Sequence, residues 1–184
     1  MSISKVARRY AESLLSNAIE KEIVAEVNSD INVIINSIYA SEEFRRFLGS
    51  PVIKADSKKT ILKEIFVDKI SSHTLKFLEF VVEKKREDIL LQILENYIEL
   101  KDDYLGIVRL EVKSAFQLSE EIKEILLKKF ESIFNKKIEA DFSQDKNLIG
   151  GFVVRFRDTV YDASIKHQLE KLKQSLISGS LSLN

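Results

Sequence analysis

Gly150 and Gly151, in NLIGGFVVRF, are the only adjacent glycines in the chain, and a glycine pair among apolar residues is a candidate phosphate cradle. Such a loop places its glycines between a strand and a helix, so that amides at the helix N-terminus face the anion. Here the glycines run into a strand instead, with Phe152, Val154 and Phe156 alternating against Val153, Arg155 and Arg157. The chain turns at Arg157-Asp158, returns as Thr159-Val160-Tyr161, and only then reaches a helix cap at Asp162 or Ser164. The pair therefore reads as a backbone device that supplies φ > 0 or a close approach where a hairpin begins.

The other reactive side chains do not converge. His73 and His167, the only two histidines, fall on separate predicted helices in different halves and read as surface or capping residues. Glu111-Val112-Lys113 has the E-x-K pattern of some metal-dependent nucleases, but alternating charge on an exposed strand face produces the same triplet. Arg8-Arg9 and Arg45-Arg46 read as solvated helix faces, and the mixed run EKKRED at 83–88 as one helix end and the next start. The absence of cysteine removes disulfides, thiolate catalysis and zinc–thiolate sites together. With no nucleophile–base pair and no carboxylate cluster, the expectation is a protein that is not an enzyme and uses no metal or cofactor.

The elements that carry these residues are those of a folded chain. It has 184 residues, 45% hydrophobic and 32% charged, with one proline and five glycines. That suits one large domain or two small ones, rich in helix. Lys plus Arg balances Asp plus Glu at 29 each, and neither side of Gly106 carries the excess positive charge that nucleic acid demands. No apolar stretch approaches the roughly 18 residues of a membrane span. The opening MSISKVARRYAESLL interleaves apolar and charged residues, unlike a signal peptide, so the expectation is a soluble cytoplasmic protein.

The first hundred residues read as helices. Ser4 is the expected cap of a first helix carrying Val6, Ala7, Tyr10, Ala11, Leu14, Leu15 and Ala18 on one broad face. A second follows with Val24, Val27, Ile31, Ile34 and Ile38 as its seam. Ser41 caps a short third helix that Gly49 and Pro51 stop. Asp56 or Ser57 starts a fourth, Ser71 or Ser72 a fifth, and Asp88 or Glu87 a sixth running through Leu90, Ile93, Leu94, Tyr97 and Leu100. The expected fold of residues 1–105 is therefore an all-α six-helix bundle. On the fifth helix Leu75, Leu78 and Val82 form the core stripe, while Phe77 and Phe80 adjoin it on another face. Two such phenylalanines either pack on a neighbouring helix or line a groove for a partner's helix.

After Gly106 the period changes to two. Val108, Leu110 and Val112 alternate with Arg109, Glu111 and Lys113, a half-exposed strand. Ser119 caps a helix with Ile122, Leu126, Phe130 and Ile133 as its expected buried side. KKIEADF alternates again, and after the hairpin a last helix carries Ile165, Leu169, Leu172 and Leu176 as its seam. Residues 106–184 thus form a second, smaller α+β domain.

An ordered set of motifs now bears on identity. VARRYAESLL at 6–15, FLGSPVI at 47–53 with Lys58-Lys59, FLEFVVEKKRED at 77–88, EVKSAFQLSEE at 111–121 and LIGGFVVRFRDTVYDASIKHQLEKL at 148–172 span nearly the whole chain. Together they resemble subunit delta of bacterial F-type ATP synthase, whose mitochondrial relative is the oligomycin-sensitivity-conferring protein. The resemblance implies a non-catalytic stator part that joins the catalytic head to the peripheral stalk at the cytoplasmic face of the inner (plasma) membrane. It implies no membrane insertion, no nucleic acid and no homo-oligomer. The helical domain would receive N-terminal helices of the alpha subunits between its first and fifth helices, at Val6, Tyr10, Leu14, Phe77 and Phe80. The α+β domain would bind the C-terminal end of stalk subunit b, and the signature residues Gly150, Gly151, Asp162 and Ser164 would be structural. Two positions depart from the family pattern, which commonly has glycine at Arg157 and Ala163. Asp158 is expected to take the left-handed conformation of the hairpin instead, and Ala163 to keep φ < 0. Two rivals stand beside this identity: a helix-binding adaptor outside ATP synthase, and a metal-dependent nuclease at Glu111 and Lys113.

Overall fold

A computed structural model describes residues 3–180, so the expected domain limits at 1 and 184 lie outside the described residues. The chain divides after Lys101 into two compact units, a helical one and a smaller α/β one. The change of period places the boundary at Gly106; the division falls inside the last turns of the helix that precedes it.

The helical unit contains α1 (Ile3–Glu20), α2 (Val24–Ala40), α3 (Glu42–Gly49), α4 (Ala55–Phe66), α5 (Ser72–Glu83), a 3₁₀ turn (Glu87–Ile89) and α6 (Leu90–Leu105). Ala7, Ala11 and Ala18 are fully buried, so the smallest side chains of α1 lie where neighbouring helices come closest. Val27, Ile31, Ile34 and Ile38 of α2 and Leu90, Ile93, Leu94 and Tyr97 of α6 fill the same core. Ser41 and Ser71 cap α3 and α5 as expected, accepting hydrogen bonds from the backbone N–H groups of Phe44 (3.1 Å) and Thr74 (3.2 Å).

Buried polar groups fasten the helices to one another. The carboxylate of Asp30 on α2 accepts from Ser71 N (3.0 Å), Ser71 Oγ (2.6 Å) and Thr74 Oγ1 (2.7 Å), tying α2 to the cap of α5. Lys58 of α4, only 2% exposed, donates from Nζ to the Leu48 carbonyl (2.9 Å) and to Glu87 Oε1 (2.6 Å). One ammonium thereby joins α3, α4 and the 3₁₀ turn.

Three helix starts differ from expectation. Ser4 lies inside α1 rather than capping it. α4 begins at Ala55, after Lys54, with no side-chain cap, so Asp56 and Ser57 sit in its first turn. Glu87 and Asp88 belong to the 3₁₀ turn, and α6 begins at Leu90. Each shift is a matter of one turn, where several polar residues compete to satisfy the same free N–H groups.

Gly106, at φ 66°, releases the chain from α6 into β1 (Ile107–Ser114). α7 (Glu120–Phe134) crosses to β2 (Lys137–Gln144), which pairs parallel to β1. β3 (Phe152–Phe156) and β4 (Thr159–Asp162) form an antiparallel hairpin on the other side, giving the order β2-β1-β3-β4. α8 (Ile165–Ser180) follows. α7 covers one face, where Phe130 packs with Val108, Leu110, Val112, Ile138 and Val154. On the opposite face the Arg109 guanidinium bridges Asp102 (2.7 Å) and Glu139 (2.8 Å).

Here the structure overturns three expectations. On α7, Leu126 and Phe130 face the sheet as expected, but Ile122 and Ile133 are exposed (47% and 64%), and Leu127 and Phe134 take their place. α7 is apolar on two adjoining faces, and contact between the rings of Phe134 and Phe156 (5.3 Å) accompanies the rotation that is adopted. On α8 the predicted seam is not buried: Ile165, Leu169, Leu172 and Leu176 are 45–66% exposed. In the hairpin, Phe156 pairs with Thr159 across a two-residue loop, and the left-handed residue is Arg157 (φ 52°) rather than Asp158. Arg157 is held there by Asp103 (2.6 Å) and by stacking over the Phe156 ring (5.2 Å).

Candidate functional site

α1 and α5 bring the sequence-selected aromatics together. With Ala7, Ala11 and Leu14 turned inward, the helical period leaves Val6 and Tyr10 on the flank of α1. Leu78, Val81 and Val82 likewise turn α5 so that Phe77 and Phe80 lie on its flank. The rings of Tyr10 and Phe80 meet at 6.0 Å with a 42° tilt. Lys84 Nζ stands 5.4 Å from the centre of the Phe80 ring.

The five predicted docking residues are not equivalent. Phe80 is 43% exposed, while Val6, Tyr10 and Phe77 are half-buried and rest on the core. Leu14, 3% exposed, belongs to the core itself. At the other end of the same helix pair, Lys21 Nζ lies 3.4 Å from His73 Nδ1. Burial first and the Lys21 charge second lower the His73 pKa below its usual value. The result is a partly exposed apolar strip along α1 and α5, suited to an apolar helix face rather than to a reaction.

The C-terminal signature has a backbone role. Gly151 has φ 81°, and a Cβ there would lie 2.5 Å from the Ala163 carbonyl oxygen and 3.0 Å from Ser164 Cα. Both readings of the glycine pair, positive φ and close approach, hold at this one residue. Ala163 N donates to Phe152 O (3.0 Å) and Ile165 N to Gly150 O (3.0 Å), fixing the β4–α8 junction against the start of β3. Asp162 Oδ1 accepts from Ser164 N (2.8 Å), and Ser164 Oγ accepts from His167 N (3.2 Å) as the cap of α8. The hydrogen bond from Ser164 holds the Asp162 carboxyl below the usual carboxylate range. Ala163 has no positive φ, as expected.

Two features escaped the sequence. Nothing in the residue pattern marks Lys58 as buried. The exposed stripe of α8 was invisible because an apolar period predicts a face without saying that anything covers it. Glu111 and Lys113 lie on the open face of the sheet, and among the described residues no cluster of His, Asp and Glu could hold a metal.

The class of protein these features define is a two-unit binding scaffold, whose distinctive surfaces are helix faces. Comparison with known proteins makes the class specific. A family model described as ATP synthase delta (OSCP) subunit matches residues 6–176. The chain is 36% identical over 180 residues to ATP synthase subunit delta of Chloroherpeton thalassium, covering 98% of each chain. It is 38% identical over 178 residues to the Chlorobaculum tepidum protein of the same name, covering 97% of this chain and 98% of that one. Its fold is similar to a chain in the cryo-EM structure of the Toxoplasma gondii mitochondrial ATP synthase hexamer, with a TM-score of 0.70 at 19% identity, over 93% of this chain and 97% of that one.

The chain belongs to the ATP synthase delta (OSCP) subunit family. It is a non-catalytic, peripheral-stalk component of the F-type complex. Among the described residues no helix is long and apolar enough to cross a membrane.

Proposed function

We propose that the helical unit, as a six-helix bundle within residues 1–105, receives the N-terminal helices of the alpha subunits between α1 and α5. The α/β unit, within residues 106–184, holds the C-terminal end of stalk subunit b. The chain thus links the catalytic head to the stalk at the cytoplasmic face of the inner (plasma) membrane and resists rotor torque. It does so without inserting in the membrane and without forming a homo-oligomer.

The observation that carries this reading is the Tyr10–Phe80 contact, which couples the two helices at a half-exposed aromatic ring. Helix-in-groove docking uses such apolar anchors, and slow dissociation from them suits a joint that stays closed through many rotary cycles. Calorimetric titration of an N-terminal alpha-subunit peptide, ~22 residues or about six helical turns, into the full chain tests it. Binding is expected near one to one, weakened by roughly 1–3 kcal/mol in Tyr10→Ala and in Phe80→Ala. A folded wild-type chain that does not bind the peptide sinks the reading.

For the stalk, the supporting observation is the solvent-facing stripe of Ile165, Leu169, Leu172 and Leu176. A peptide from the C-terminal end of subunit b is expected to lose at least about tenfold in affinity, ~1.4 kcal/mol, for the Leu169→Asp/Leu172→Asp chain. Both side chains are exposed, so thermal unfolding should barely change. Unchanged peptide affinity would move the stalk contact off α8.

A further inference from the structure

The turn from α1 to α2 is tight and strained. Ile23 N donates to Ala18 O (2.9 Å) and Glu22 N to Ile19 O (3.0 Å), and Glu22 is left-handed (φ 59°) without being glycine. Such a conformation persists where surrounding contacts hold it. One contact reaches the turn from 52 positions away: Lys21 Nζ stands 3.4 Å from Nδ1 of His73, in the first turn of α5. An ammonium can only donate, so Nδ1 carries the free lone pair and the ring proton sits on Nε2. The half-buried His73 thus accepts from Lys21 as a neutral imidazole. Four charges act on it: Lys21 in the turn, Glu26 and Asp30 on α2, and Lys76 on its own helix. The two lysines oppose a proton on Nδ1 and the two acids favour it. Asp30 is already committed, because its Oδ2 accepts from Ser71 N, Ser71 Oγ and Thr74 Oγ1. Glu26 is exposed, and no ion pair engages it among the described residues.

We infer that His73 is an acid-sensitive latch on this turn: neutral, it accepts from Lys21 and holds the α1–α2 corner to α5; protonated, it repels Lys21 and turns to Glu26 on α2. The step takes one proton from solvent onto Nδ1, which uses up the lone pair that Lys21 was donating to. Only that hydrogen bond is given up. The direction follows from the surroundings, since burial and then the Lys21 charge lower the His73 pKa below its usual value. The folded chain therefore takes up this proton less readily than the unfolded one. The stability that His73 contributes is complete above the usual histidine value and is lost as pH falls through the lowered one. In acid, the corner that ends α1 keeps its strained turn with one fewer contact to hold it.

The chain has only two histidines, so NMR follows the His73 imidazole in the full chain from about pH 5 to pH 8, with His73→Gln assigning its signals. In Lys21→Gln the His73 pKa is expected to rise toward its usual value, and in Glu26→Gln to fall further. The Glu22 and Ile23 amides are expected to shift with the same midpoint as His73. Their protection from hydrogen exchange, relative to intrinsic rates, should drop at least about twofold below that midpoint. Both changes should vanish in His73→Gln, whose side chain still accepts from Lys21 but does not titrate. A His73 pKa indifferent to either charge substitution, or turn amides with the same pH profile in His73→Gln, overturns the latch. Lys21 and Glu26 are exposed, so those two variants keep the fold and decide the matter even where His73→Gln is less stable.

Discussion

Gly151→Val is expected to destabilise the α/β unit by roughly 4 kcal/mol, the sum of a left-handed β-branched residue and a steric overlap that cannot relax. At φ 81° a valine meets the general penalty for side chains in that region. Its Cβ would also stand 2.5 Å from the Ala163 carbonyl oxygen, a backbone atom in the segment that runs between β4 and the cap of α8. Relief requires moving that segment, which breaks the hydrogen bonds from Ala163 N to Phe152 O and from Ile165 N to Gly150 O. Gly150→Ala is the matched control. Its Cβ would also come within 2.5 Å of a neighbour, but that neighbour is Ile165 Cδ1, the end of a flexible, half-exposed side chain. Its cost should stay below about 1.5 kcal/mol, one rotamer adjustment. Urea midpoints of the two variants decide the matter. A Gly151→Val chain no less stable than Gly150→Ala would show that the close approach does not constrain this junction.

Lys58→Met should cost about 3–5 kcal/mol, the range for removing one partner of a buried ion pair. Methionine fills the volume but leaves the Glu87 carboxylate and the Leu48 carbonyl without their donor. Glu87 has little to spare, since its Oε2 already has no hydrogen-bond partner. In Lys58→Met/Glu87→Leu both charges are gone, and the loss should fall well below the sum of the two single substitutions. A coupling energy above about 1 kcal/mol in chemical denaturation identifies the pair as a unit. Simple additivity would mean that the Lys58 ammonium acts through the Leu48 carbonyl and not through Glu87. The lysine pair of the family-like motif at 58–59 thus divides in role: Lys58 is interior, whereas Lys59 makes the 3.0 Å bridge to the exposed Glu83.

Much of this was legible in the residues themselves. The caps at Ser41, Ser71 and Ser119 follow from hydroxyls placed just before apolar periods, and each accepts the expected backbone hydrogen bond. The glycine pair was separable from a phosphate loop because a strand, not a helix, follows it. The flank position of Phe77 and Phe80 followed from counting along α5. What counting could not supply was depth: Phe77 rests on the core, Phe80 stays 43% exposed, and Leu14 is enclosed. Nor could it choose between the two apolar faces of α7, where Ile122 and Ile133 had as good a claim to burial as Leu127 and Phe134.

The sequence by itself determined the period of each segment, and with it a helical N-terminal region, a smaller region of mixed helix and strand, and the ordered motifs of the family. These are local properties, set by hydrophobic spacing, turn residues and caps within a few residues of one another. The tertiary structure alone decided which faces are covered. Lys58 and Glu87 are 29 positions apart, and Arg157 and Asp103 are 54 apart. The Tyr10–Phe80 contact joins the first helix to the fifth, and the stripe of α8 stays open because no described core residue packs on it. A period in the chain fixes which residues share a face; only the packing of distant segments fixes whether that face meets protein or water.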